Sequence, residues 1–227
     1  MSDSDMKSKP ISSILGNLNI VGISDEKMAE AERREREAMR LVRFKRSGVG
    51  ERYWNLSLED YRTDTPESKA VYNTVCEFIH DIKAGITRSL WLTGASGTGK
   101  TMLAAMIIKE CGGCYRKSYQ LVNEARRADS YNSSEDKNGM IDRYADYRLL
   151  VIDEVGKDTG RVDEEWNILW QIINERYERM LPIVIVSNLA KSELAGYFGQ
   201  HIVDRFVENG KTVEFTGESY RPNLRTF

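Results

Sequence analysis

The feature that most limits what this chain can fold into is the octapeptide GASGTGKT, Gly94 to Thr101. It fits G-x-x-x-x-G-K-[ST], a loop whose glycines let the backbone wind around phosphates. An apolar run, SLWLTG, leads into it, and KTMLAAMIIKE follows at once. The loop therefore reads as the link between a buried strand and a helix. In that setting its N–H groups and the helix N-terminus supply partial positive charge. The expected nucleotide contacts are Gly94, Ala95, Ser96, Gly97, Thr98, Gly99, Lys100, Thr101 and Met102. Lys100 should reach the β- and γ-phosphates of ATP, and the Thr101 hydroxyl should face Mg2+.

The rest of the chain supplies matching parts. RLLVID and IVIVSN read as buried strands, CYRKSYQLV as a second strand, and KTVEFTG as the last one. TPESKAVYNTVCEFIHDIKAG reads as a helix capped by Thr65, with Pro66 in its first turn. Its apolar residues Val71, Val75, Phe78, Ile79 and Ile82 recur at helical spacing. VDEEWNILWQIINERYERM is a helix with Trp166, Leu169, Ile173, Tyr177 and Met180 expected on one face. KSELAGYFGQHIVDRFVENG holds one or two short helices. The stretch from Glu124 to Tyr147 is polar and irregular, with a short helix expected near its end. Alternating helices and almost wholly apolar strands predict an α/β fold, a five-stranded parallel sheet between helices.

In such sheets ligands gather at the carboxyl ends of the strands. Asp153 follows four apolar residues and so emerges there, placed to hold Mg2+ partly through water. Glu154, one step on, can orient and polarise an attacking water, which points to hydrolysis of ATP rather than storage. Asn188 ends IVIVSN, where an amide can bond both the γ-phosphate and the water. The alternative for Ser187 and Asn188 is a cap for the next helix.

The chain has 227 residues, of which 41% are apolar, enough for one substantial domain with an extension. Thirty-three basic residues against 35 acidic ones give a net charge of −2, so the overall field does not announce nucleic acid. No apolar run approaches the roughly 18–20 residues that span a bilayer, and MSDSDMKSKP has no apolar core of a signal peptide. A cytoplasmic location with no membrane partner is the expectation. Cys111 and Cys114 form CGGC. A second pair for zinc is lacking, and the expected role is a helix end, a glycine turn and a strand start, with a redox role as the alternative.

Residues 1–46 differ from the ATP-binding domain expected over 47–227. A Ser-rich tail precedes a charged helix, capped by Ser24 or Asp25 and stopped by Gly48. Its second half is basic through Arg33, Arg34, Arg36, Arg40, Arg43, Lys45 and Arg46. It is either a solvated helix or a docking segment for a partner protein or phosphate backbone.

With GASGTGKT, LLVIDEVG, IINERYERMLPIVIVSNL, GQHIVDRF and ESYR in this order, the chain resembles the AAA+ ATPases from Ser47 to about Tyr220. Within them it is similar to the DnaC family of replicative helicase loaders and the related IstB-like transposition helpers. The resemblance implies that Lys100, Thr101, Asp153 and Glu154 form the two nucleotide motifs and that Asn188 is a sensor. It implies that Arg205 is an arginine finger acting on the nucleotide of a neighbouring subunit, hence self-association through the ATP interface. Arg221 lies in a recurring family segment. The resemblance also implies a core without a C-terminal lid domain, with a replicative DNA helicase and single-stranded DNA as partners. Loaders commonly carry a longer N-terminal domain, in some members with a zinc site. Residues 1–46 contain no cysteine, so the basic helix is the substitute candidate. Loaders also carry an inserted helical element after the second strand that contacts DNA; Arg126, Arg127, Tyr131, Lys137 and Arg143 occupy that region. A small-molecule kinase and a non-hydrolysing nucleotide binder are the readings from other classes; the acid pair at Asp153 and Glu154 weighs against both.

Overall fold

The computed structural model describes residues 25–130, 135–157, 162–217 and 219. Contacts divide the chain into Met1–Val42 and Arg43–Phe227. In the first unit the described residues belong to helix α1 (Asp25–Arg46), whose surface is laced by i,i+4 pairs such as Arg34–Glu30 and Arg33–Glu37. Such pairs contribute only tenths of a kcal/mol each (about 0.3–0.5).

The second unit continues with two short 3-10 turns, then α2 (Pro66–Lys83), β1 (Ser89–Gly94), α3 (Lys100–Cys111), β2 (Cys114–Lys117), α4 (Ser118–Ala128) and α5 (Lys137–Asp146). It closes with β3 (Leu150–Val155), α6 (Val162–Glu178), β4 (Ile183–Ser187), α7 (Lys191–Phe198), α8 (Gln200–Asn209) and β5 (Gly210–Phe215). The five strands form one parallel sheet in the order β2-β3-β4-β1-β5. Both faces are covered. Leu90, Leu92, Val151, Val184 and Val186 pack toward α2 and α3, while Trp91, Leu150, Ile152, Ile183 and Ile185 pack toward α4, α5, α6, α7 and α8. Burial on both sides is why these strands are runs of apolar residues rather than alternating ones.

Thr65 caps α2 as expected, its Oγ1 accepting from the Ser68 N–H at 3.1 Å. The CGGC segment is a helix end, two left-handed glycines and a strand start, and all three cysteines are free thiols. Burial pushes the Cys114 thiol up, away from the thiolate that redox chemistry needs.

Three expectations are corrected. The strand expected over CYRKSYQLV ends at Lys117, and α4 begins at Ser118, because Leu121, Val122 and Ala125 bury at helical spacing against α6. The irregular stretch is therefore helical already through Ala128. Met180 does not share the α6 face; it follows the helix end with φ 53° and is 60% exposed. The inward face of α6 is Glu165, Ile168, Leu169, Ile172, Ile173 and Arg176.

Candidate nucleotide site

The strand order sets the site. β4 lies between β1 and β3, so the carboxyl ends of three adjacent strands meet: the loop after β1, Asn188 after β4 and Asp153–Glu154 at the end of β3. A cavity of about 310 Å³ opens there, large enough for a small ligand. Its lining includes Ser96, Gly97, Gly99, Lys100, Thr101, Met102, Asp153, Glu154, Ser187 and Asn188. All residues singled out for the phosphate, metal and sensor roles thus converge, apart from Gly94, Ala95 and Thr98, which shape the loop behind it, and Arg205.

The loop is held by glycine conformations and by its own lysine. Gly94, Gly97 and Gly99 have φ of 117°, 87° and 94°. At Gly94 a Cβ would lie 2.4 Å from the carbonyl oxygen of Phe215 on the adjacent strand β5. Thr98 Oγ1 donates to the Ala95 carbonyl at 2.9 Å. Lys100 is only 5% exposed, and its Nζ donates to the carbonyls of Gly94 and Ala95, each at 2.6 Å. The lysine thus stands inside the curl where phosphate oxygens would lie.

The acid pair sits in a β-bulge. β3 pairs with β4 from Leu150 to Ile152 and resumes at Val155 opposite Ser187, with a register shift between. Asp153 and Glu154 together oppose the single residue Val186. Bulges next to active sites re-aim side chains, and here Glu154 takes the left-handed φ of 59°. Asp153 is 2% exposed. It accepts hydrogen bonds from the Tyr115 hydroxyl and, at 2.7 Å, from the Glu154 N–H. Burial, with the nearby Asp153 charge, pushes the Tyr115 phenol far above its usual range, so it serves as a permanent donor. Glu154 Oε1 accepts from Lys117 Nζ at 2.9 Å, and Lys157 Nζ lies 3.6 Å from Oε2. Partial burial pushes the Glu154 carboxyl up, but Lys117 and Lys157 outweigh it and hold the group below the usual carboxylate range.

Among the described residues no cluster of three His, Cys, Asp or Glu side chains could cage a metal. The donor set is instead one buried carboxylate, Asp153, with the Thr101 hydroxyl beside it in the cavity wall. That set fits Mg2+, which keeps several waters and is bound by one or two carboxylates plus substrate phosphates.

Asn188 is exposed at the cavity, and capping is not its role. The N-cap of α7 is Ala190, whose N–H is taken by Glu193 Oε2 at 2.7 Å.

Arg205 is not brought to this cavity. On α8, its Nη1 donates to Asn174 Oδ1, its guanidinium lies 4.5 Å from the centre of the Tyr177 ring, and Nη2 is 3.9 Å from Glu178 Oε1. The cleft it lines also contains Ser89 and Ile183, the first residues of β1 and β4. It therefore sits at the opposite end of the strands from its own phosphate loop, about 17–20 Å away for a six-residue strand.

Sequence reasoning missed Tyr115, Lys117 and Lys157. Tyr115 and Lys117 are two apart on β2 and so share a face, and the parallel register places Lys117 beside Asp153. A β2 ended at Lys117 would have exposed both. Arg52 and Tyr53 also line the cavity, within the Val49–Tyr61 segment that precedes the first core helix. The DNA-contact candidates are largely paired: Arg126 with Glu164, at 2.7 and 2.5 Å, and Arg143 with Glu135 and Glu124. Tyr131 and Arg221 lie outside the described residues.

Sheet order, glycine loop and bulged acid pair define a P-loop nucleotide-binding domain of the AAA+ type. The chain belongs to the family of IstB-like ATP-binding proteins, whose model matches residues 7–226. It is similar to the replicative helicase loader DnaC of Escherichia coli K12, with 29% identity over 198 residues, 84% of this chain and 80% of that protein. The fold is that of the crystal structure of the DnaC helicase loader, with a TM-score of 0.63 at 20% identity over 73% of this chain and 99% of that one. The replication initiator DnaA bound to AMPPCP and single-stranded DNA gives a TM-score of 0.60 at 20% identity, over 75% of this chain and 52% of that one. Among the described residues no helix is long and apolar enough to cross a membrane.

Proposed function

We propose that this protein is an ATP-hydrolysing loader of a replicative DNA helicase. The observation that carries the partner is the similarity to the replicative helicase loader DnaC over 84% of this chain and 80% of that protein. Hydrolysis is supported by Glu154, held ionised and aimed into the cavity beside Asp153.

The loop amides and Lys100 would hold the phosphates, and Thr101 and Asp153 would hold Mg2+, Asp153 partly through water. Bound Mg2+ supplies positive charge to the β- and γ-phosphate oxygens. Glu154 would orient the attacking water, with Asn188 bonding water and γ-phosphate. Lys117 engages Oε1 of Glu154, which leaves Oε2 to accept from a water. Arg205 would complete the site of a neighbouring copy. A cation so placed contributes about 10³–10⁵ in rate in other nucleotidases. Slow turnover regulated by partner or DNA suits a conformational switch. Residues 1–46 would dock the helicase. Single-stranded DNA would be met by the exposed Arg127 together with Lys137.

The test is capture of a replicative helicase by the full chain, with and without ATP, alongside hydrolysis by the wild type and Glu154→Gln. Nucleotide-dependent capture, with Glu154→Gln binding ATP but not hydrolysing it, is the expected result. The family match supports a second reading, a transposition helper. Capture of a transposase and of no helicase would decide for it.

A further inference from the structure

The bulge that carries Glu154 is pinned by side chains from three other elements. Ser118 Oγ, at the start of α4, donates to the Glu154 carbonyl at 3.0 Å. Ser187 Oγ, at the end of β4, donates to the Val155 carbonyl at 2.8 Å and accepts from the Leu189 N–H at 3.1 Å. The Gly156 N–H donates to Glu165 Oε1 at 3.1 Å. Gly156 itself has φ 72°, and a Cβ there would meet Leu189 Cδ1 at 2.6 Å. The turn thus favours glycine at 156; the Lys157 N–H donates to the Glu154 carbonyl at 3.4 Å, and the Gly156 N–H ends on a carboxylate.

Glu165 is the unusual partner. It is 1% exposed, in a position where carboxylates are rare. A place in the first turn of α6 makes its charge tolerable, since helix N-termini favour anions. That electrostatic role is already filled by Asp163 and Glu164, which precede it in the same turn. Glu164 engages Arg126 at the surface, while Glu165 turns inward to the strand end. Burial, then the Glu165 charge, pushes the Tyr197 phenol of α7 above its usual range.

We propose that Glu165 is a positioning residue for Glu154: its buried carboxylate holds the Gly156 N–H and thereby fixes the left-handed bulge that aims Glu154 into the nucleotide cavity. This rests on the hydrolytic reading of Glu154. A charged acceptor makes a stronger hydrogen bond than a neutral one, but an amide oxygen in the same place still accepts. Glu165→Gln should therefore keep the turn and Glu165→Ala should release it.

The experiment uses the full chain as wild type, Glu165→Ala and Glu165→Gln. Steady-state ATP hydrolysis is measured beside affinity for a fluorescent ATP analogue, and the amide signals of Glu154 and Gly156 are followed by NMR. A misplaced catalytic group costs about 10- to 100-fold in rate, so Glu165→Ala should lose that much kcat with analogue affinity nearly unchanged. Glu165→Gln should stay close to wild-type kcat. The Gly156 amide proton should lie far downfield in the wild type, move upfield in Glu165→Gln and move furthest in Glu165→Ala. Unchanged kcat in Glu165→Ala, parallel loss of affinity and kcat, or equal damage by both variants overturns the proposal. If Glu165→Ala does not fold, the Gly156 signal in wild type and Glu165→Gln decides: no difference between them overturns it. A wild type without ATP hydrolysis would sink the hydrolytic reading instead, and the amide signals would still settle whether Glu165 holds the turn.

Discussion

Lys117, the last residue of β2, reaches the Glu154 carboxylate with Nζ 2.9 Å from Oε1. The two strand ends are neighbours in the sheet, so the pair costs no detour of the chain. It holds the proposed water-orienting group ionised and also occupies one of its oxygens.

Lys117→Met should raise the Glu154 pKa, since burial then acts with only Lys157 opposing it. The acid limb of the pH–rate profile should move to higher pH, which steady-state hydrolysis between acid and neutral pH would show. A depressed carboxylate pKa gives stability above the ordinary value near 4.5 that is lost as pH falls through the folded value. The variant should therefore be less stable at neutral pH by about 0.5–1 kcal/mol, discounted for solvent exposure, and the difference should fade in acid. An acid limb that stays in place would remove Lys117 from this role.

Tyr115→Phe removes the side-chain donor to the buried Asp153. Hydrogen bonds to charged groups contribute about 1.5–3 kcal/mol, and the melting temperature should fall accordingly in thermal unfolding without nucleotide. Equal melting temperatures would mean that another donor replaces the phenol.

Arg205→Ala should lose hydrolysis while keeping most nucleotide affinity, because Arg205 lies at the far end of the strands from its own loop. Lys100→Ala should lose affinity. Mixtures of the two inactive proteins should recover part of the activity, since some interfaces then hold both groups. No recovery at any ratio counts against action between subunits.

Gly94→Ala should destabilise the fold by at least about 2 kcal/mol, through backbone strain at φ 117° and collision with β5. Urea unfolding measures this. A near-neutral effect would mean that β5 can shift aside.

Much of the fold was legible because its strands are apolar on both faces and its phosphate loop has a fixed pattern. Asp153 and Asn188 could be placed from the runs that precede them. What lay beyond reading came from pairing. The bulge at Asp153–Glu154 depends on how β3 registers against β4, which no local pattern records. Lys117 was hidden because KSYQLV alternates well enough to pass for strand, and only burial against α6 turns it into a helix. Glu165 looked like one more acid at a helix start; its inward turn depends on where Gly156 lies. Arg205 was singled out, but its distance from its own loop follows from α8 running back to the start of β5.

That distance has a consequence for counting. If Arg205 completes the site of another copy, each protein offers a finger at one end of its strands and needs one at the other. The contact is then head-to-tail, and such contacts either close into rings or remain open. An open row always leaves one terminal nucleotide without a finger and one terminal finger without a nucleotide. Its two ends differ chemically, so an unclosed assembly has a direction built into it, and adding or removing a copy at one end is not equivalent to doing so at the other.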